Sequence, residues 1–242
     1  MNLDLSILIR VLKRNWPIFA HGIRVTIVFA IVGTAGGLVL GVIAGALRTT
    51  KSDIRDSLIV RILKTVSQLI TRLYIWVFRG TPMVVQATFI YYLLRPVLGW
   101  NSTQAGLVII SVNTGAYMAE IIRAGIQSVS TGQSEAARSL GMNRFQSLIW
   151  IIMPQAIKNT FPSIGNQLIV NIKDSSMLNV LSVTELFFQT YSIAGSNFRY
   201  IETYFISAVI YLLLTSLASF ILNRIERKLD VDNNHRIMEY SS

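Results

Sequence analysis

The stretch "EAARSLGMNRFQSLIWIIMPQ", residues 135–155, opens as a polar helix and closes as an apolar run that meets a proline. Ahead of it, Ser130 and Gln133 have the spacing of a capping box, in which two side chains satisfy free backbone donors reciprocally. Gly141 suits the position where many helices end. Asn143 and Gln146 repeat the capping spacing and start a second helix, expected to run to Met153 and to be interrupted at Pro154. The chain thus devotes two helix starts and one stop to a compact helix-turn-helix. A helix of about two turns is unstable alone and has to pack on something. Ala136 and Ala137 let another surface come close, and Leu140, Met142 and Phe145 have the size to fill a groove. Two readings stay open: a handle gripped by another protein, or a loop packed on its own chain.

The surroundings of this helix are apolar. Of the 242 residues, 52% are hydrophobic and 14% charged, against about a quarter charged in soluble domains. The apolar residues gather into runs of bilayer length, roughly 20 residues each. The expected fold is all-α: a polytopic membrane helix bundle with about five transmembrane helices, near 23–47, 81–98, 103–122, 162–182 and 203–222. Residues 1–22 read as a surface segment whose Leu3, Ile7 and Val11 face lipid. Residues 23–222 form the membrane domain, with the polar helix segment at 130–153, and 223–242 form a tail. In the first span Gly33, Gly37, Gly41 and Gly45 recur every fourth residue, a stripe on which another helix packs closely. Whether that neighbour belongs to this chain or a second one is open.

The formal charge is +10. In a membrane protein this points to anionic lipid on the cytoplasmic face rather than nucleic acid. With the C-terminus cytoplasmic, residues 48–80 (an amphipathic connector), 123–158 and the tail lie inside and hold 15 of the 22 lysines and arginines. Arg10, Lys13 and Arg14 then stay outside. There is no cysteine, and His21 and His235 stand far apart, so no metal site is expected. No phosphate-cradling G-x-x-x-x-G-K-[ST] run occurs. If nucleotide powers this protein, a partner must bind it.

The run "EAARSLGMNRFQSLIWIIMPQAI" resembles the EAA motif of ABC importer permeases. "FRGTPMVVQ" at 78–86, "GAYMAEIIRAGIQSVSTGQSEAA" at 115–137, "MPQAI" at 153–157 and "NIKDSSML" at 171–178 resemble the polar amino acid permease family, in family order, over about residues 20–225. Ala124 and Met153 depart conservatively from it. The resemblance implies a permease subunit of the bacterial cell membrane that moves a polar, and on its acidic groups a basic, amino acid by alternating access. It implies that Glu135, Ala136, Ala137, Leu140 and Gly141 couple to an ABC ATPase. It implies no cofactor in this chain, since ATP and Mg belong to the ATPase. The further partners implied are a second permease chain, identical or not, and an external substrate-binding protein.

Polar residues within spans face a partner or a watery cavity. Asn113, Tyr117 and Glu120 share one face of the third span; Gln167, Asn171 and Asp174 repeat the spacing in the fourth, and Gln86 adds an amide from the second. The expected substrate site is a cleft of Asn113, Tyr117, Asn171, Gln86, Glu120 and Gln167, with Phe89 and Tyr117 as walls. The competing reading is interhelical hydrogen bonding, with Glu120 paired to Arg123. An ion-coupled secondary transporter using Glu120 or Asp174 is the alternative function.

Overall fold

In the computed structural model the described residues are 4–49 and 57–239, with side chains described through 228. Leu3, Lys51, Arg55 and the side chains of His235 and Arg236 lie outside them.

Helix α1 (Leu5–Thr49) is unbroken over 45 residues, about 67 Å at 1.5 Å per residue. The surface segment expected at 1–22 is therefore continuous with the first span. Pro17 does not break the helix, because Val11 and Phe19 on either side of it are buried in one cluster with Leu186, Ile193, Ile206 and Ile210. Packing on both flanks outweighs the lost hydrogen bond.

The glycine stripe of α1 meets α4 (Ser102–Ser128) of the same chain, and the two helices run parallel. Gly33 lies on Ile110, Gly37 on Thr114, Gly41 on Met118 and Gly45 on Ile122. A Cβ on Gly37 would fall 2.5 Å from the Thr114 methyl carbon, so only glycine permits this approach. This pair is the spine of the bundle.

Helix α2 (Leu58–Gly80) begins with Ser57, whose hydroxyl accepts from the backbone of Val60. Sequence reading makes residues 48–80 a surface connector; the second half of α2 is instead packed on α4. The Tyr74 hydroxyl donates to the carbonyl of Val112, and Ile75 is buried with Ala44, Ala116 and Ala119. After a break at Thr81 and Pro82 comes α3 (Met83–Leu98), 16 residues long, about 24 Å and short of a bilayer. A run with Arg72 and Arg79 looks like a surface in sequence, yet it enters the bundle because its tyrosine and isoleucine find partners on α4.

Helix α5 (Thr131–Ser139) follows α4. Next come α6 (Arg144–Gln146), a π turn (Ser147–Ile152) and α7 (Met153–Asp174), continued by a 3₁₀ turn (Ser175–Leu181). Pro154 does not interrupt this run. The wide turn absorbs it: the Met153 amide bonds to the carbonyl of Leu148, five residues back, before α spacing resumes. Helices α8 (Leu186–Asn197) and α9 (Tyr200–Glu239) close the bundle.

Among the described residues, α1, α4 and Tyr200–Lys228 of α9 are each long and apolar enough to cross a membrane by themselves. The other two expected spans are short or polar. In α7 the polar groups Thr160, Gln167 and Asn171 are turned inward and buried, which is how such a helix is tolerated in lipid.

Candidate coupling helix and polar cavity

Helix α5 stands out from the bundle. Glu135, Ala136, Leu140 and Gly141 are exposed, and only Ala137 is buried within the helix. Leu140 is 83% exposed and Phe145 70%. Ser130 makes no side-chain cap, so the first capping box is absent; the Gln133 amide bonds to the Ser130 carbonyl instead. The helix stop is as expected. Gly141 has φ +84, and the Gly141 and Met142 amides bond to the carbonyls of Arg138 and Ala137, closing the helix with a Schellman motif. The second capping box is complete, with Asn143 and Gln146 exchanging two bonds of 2.9 Å. The result is a short, rigid, apolar-tipped knob.

The intramembrane polar residues divide into two groups. The first is tied up within the chain. The Asn113 amide donates to Gln86 Oε1 at 2.8 Å. Gln86 Nε2 in turn donates to Thr81 Oγ1 and to the Phe78 carbonyl, across the break between α2 and α3. Thr114 donates to Asn171 Oδ1 at 3.0 Å, and Asn171 Nδ2 donates to Thr34 Oγ1 at 2.9 Å, joining α4, α7 and α1. Gln86, Asn113 and Asn171 are buried and each has a partner. Gln167 is buried one turn before Asn171 and belongs to neither set. Phe89 is exposed on α3 and forms no wall with Tyr117.

The second group lines an open groove of about 480 Å³ between α2, α4 and the end of α1. Tyr117 and Glu120 are there, and sequence reading missed their neighbours Arg48, Arg72 and Arg79. Arg79 lies with its guanidinium 5.5 Å from the centre of the Tyr117 ring, a cation–π contact. Glu120 is held from two sides: Arg48 Nη1 donates to Oε1, and Arg123 Nε donates to Oε2 at 2.9 Å. The expected pairing with Arg123 is present, and Arg48 adds a partner 72 residues away. The seven-residue spacing of Arg72 and Arg79 on one face of α2 was the available signal. It was obscured because an amphipathic basic helix reads equally well as a membrane surface.

Comparison with known proteins places this architecture. Residues 57–231 match the family described as the binding-protein-dependent transport system inner membrane component. The chain belongs to that family. This transport component is 37% identical over 220 residues to the glutamine transport system permease protein GlnP of Escherichia coli K12, covering 89% of this chain and 94% of the relative. It is 33% identical over 231 residues to the arginine transport system permease protein ArtQ of Bacillus subtilis, covering 95% and 98%. A crystal structure of an amino acid ABC transporter with histidines aligns with a TM-score of 0.77 at 35% identity, over 94% of this chain and all of that one. An inward-facing MetNI methionine ABC transporter shares the fold, with a TM-score of 0.74 at 20% identity. As a member of this family the chain is a membrane permease subunit of an ABC importer and not itself a catalytic enzyme. The ion-coupled alternative finds no support among these relatives.

Proposed function

We propose that this chain is the membrane subunit of an ATP-driven importer for a polar amino acid, with its C-terminus in the cytoplasm of a bacterial cell. The reading is carried by one observation: a rigid knob, α5 with its Schellman stop at Gly141, projects from a bundle that has no phosphate-cradling loop in its sequence. Glu135, Ala136, Ala137, Leu140 and Gly141 seat the knob in a groove of an ABC ATPase, which binds ATP and Mg. An ATPase biases the two states of the permease only if its own states contact the permease differently. A rigid helix in a moving groove supplies that difference. A second permease chain completes the pathway, and an external binding protein delivers the cargo. Relatives named for glutamine and arginine support a polar amino acid. Of the six residues first assigned to the substrate, Tyr117 and Glu120 line the cavity, Gln86, Asn113 and Asn171 are bonded to other helices, and Gln167, buried on α7, keeps its proposed place facing the cargo.

The test is reconstitution of the chain with its ATPase and binding protein in vesicles. Uptake of labelled amino acid that requires hydrolysable ATP and all components is the expected result. Accumulation by the chain alone, driven by an ion gradient, would overturn the reading.

A further inference from the structure

Between the first half of α1 and α9 runs an open groove of about 440 Å³ whose lining is aliphatic and aromatic throughout. Leu5, Ile9 and Trp16 stand on one side; Phe205, Val209 and Leu213 stand on the other. All six are exposed, Leu5 by 69% and Leu213 by 64%. A soluble ligand is fixed in its pocket by a few placed polar groups, and this groove offers no charged, amide or hydroxyl side chain. Both of its helices are long and apolar enough to cross a membrane, and only 17% of the most apolar window of α9 is buried within the chain. Residues 5–16 therefore lie beside a membrane-crossing helix, and hydrocarbon is what suits the space between them.

The groove has a charged edge. Lys13 stands four residues after Ile9 and three before Trp16, so it borders both on the helix surface. Arg10 is three residues before Lys13 and four before Arg14, which joins the three cations into one patch. All three are exposed. Among the described residues none of them has a carboxylate in ion-pair reach, and the nearby Asp4 accepts from the Ser6 amide. Lysine and arginine beside bilayer hydrocarbon are costly unless their heads reach its polar edge. A second copy of this chain does not suit the face, because a two-fold contact sets a patch against its own copy, here three cations against three.

We infer that the α1–α9 groove binds one anionic phospholipid, with an acyl chain along the apolar lining and the headgroup phosphate held by Lys13, Arg10 and Arg14. The apolar lining accepts any lipid tail; the cations choose the headgroup, as in amphipathic helices that bind anionic membranes. The inference goes beyond amino acid import and does not rest on it. It also gives a reason for the three cations that the proposed orientation leaves on the outer side, against the usual distribution of lysine and arginine.

The test uses the full chain reconstituted in phosphatidylcholine vesicles. These carry a trace of phosphatidylglycerol or of phosphatidylcholine, each with the same diazirine-bearing acyl chain. After illumination, peptide mass spectrometry reads the label on residues 5–16 and 205–217. The expected result is at least about fivefold more label there from the phosphatidylglycerol probe, the preference that one cation near a membrane surface provides. Arg10→Gln, Lys13→Gln and Arg14→Gln combined are expected to bring the two probes within about twofold of each other. These side chains are exposed, so the fold tolerates their change. Arg224→Gln, Arg227→Gln and Lys228→Gln combined, at exposed cations farther along α9, are expected to leave the preference in place. Excess inorganic phosphate is expected to leave the label unchanged, which separates a lipid site from a site for a free anion. Equal labelling by the two probes in the wild type overturns the lipid site. So does a preference that survives the α1 substitutions, one that falls as far with the α9 substitutions, or label displaced by inorganic phosphate.

Discussion

The side-chain amide of Asn113 donates to Gln86 at 2.8 Å, and both residues are buried. Gln86 in turn grips Thr81 and Phe78, so this bond fixes the α2–α3 break against α4. These residues hold structure, and their removal should act on stability. Asn113→Ala and Gln86→Ala are each expected to lower the stability of the detergent-solubilised subunit by about 1 kcal/mol. The double variant should cost less than the sum, since both singles break the same bond. Denaturant titration by circular dichroism reads this directly; unchanged stability with uptake abolished would restore these amides to the substrate site.

Gly141 has φ +84 and open space around the position of a Cβ. A larger residue there meets no clash, only the strain of the left-handed region, about 1–2 kcal/mol. Gly141→Val should loosen the end of α5 and reduce ATP-driven uptake at least about tenfold, while ATP hydrolysis by the complex continues. Gly141→Asn should keep most of the coupling, because asparagine tolerates this conformation. Uptake at wild-type rate in Gly141→Val would remove α5 from the coupling route.

The α1–α4 spine leaves no room at Gly37. Gly37→Val is expected to separate the helices and to cost about 1–3 kcal/mol or more, seen as reduced membrane accumulation and a lowered thermal midpoint. Gly195 has nothing within 4 Å and no positive φ. Gly195→Ala should therefore be neutral or slightly stabilising, since alanine is the better helix former.

Glu185 caps α8 and is fully buried, accepting from the Phe187 and Phe188 amides at 2.8 and 2.6 Å and from the Tyr211 hydroxyl at 3.1 Å. Burial pushes its carboxyl above the ordinary 4.5, against the opposing pull of those donors. The folded chain then holds this proton at pH values where the unfolded chain has lost it. Stability contributed by this group therefore falls as pH rises from the ordinary value through the folded one. The thermal midpoint of wild type minus that of Glu185→Gln should be larger at pH 5 than at pH 8. A difference that grows with pH would show that the donors outweigh burial.

Much of this protein is legible in the chain because it depends on near neighbours. Bilayer-length apolar runs, the Asn143–Gln146 box and the stop at Gly141 each involve residues within a few positions, where backbone geometry decides. The glycine stripe announces a close helix contact, although not its partner. Even local signals can fail: Ser130, exposed, makes no side-chain cap, and Pro17 and Pro154 are absorbed into continuous helices.

Tertiary structure alone decided which polar groups meet. Glu120 and Arg48 are 72 residues apart, and their pairing depends on the register that α1 and α4 adopt along the glycine stripe. The same register brings Tyr74 of α2 to Val112, so a basic, amphipathic run becomes a wall of the cavity and sets Arg79 over Tyr117. The covalent order of residues specifies helices; their relative depth and rotation, set by which surfaces pack most closely, determine which charges meet and which remain uncompensated.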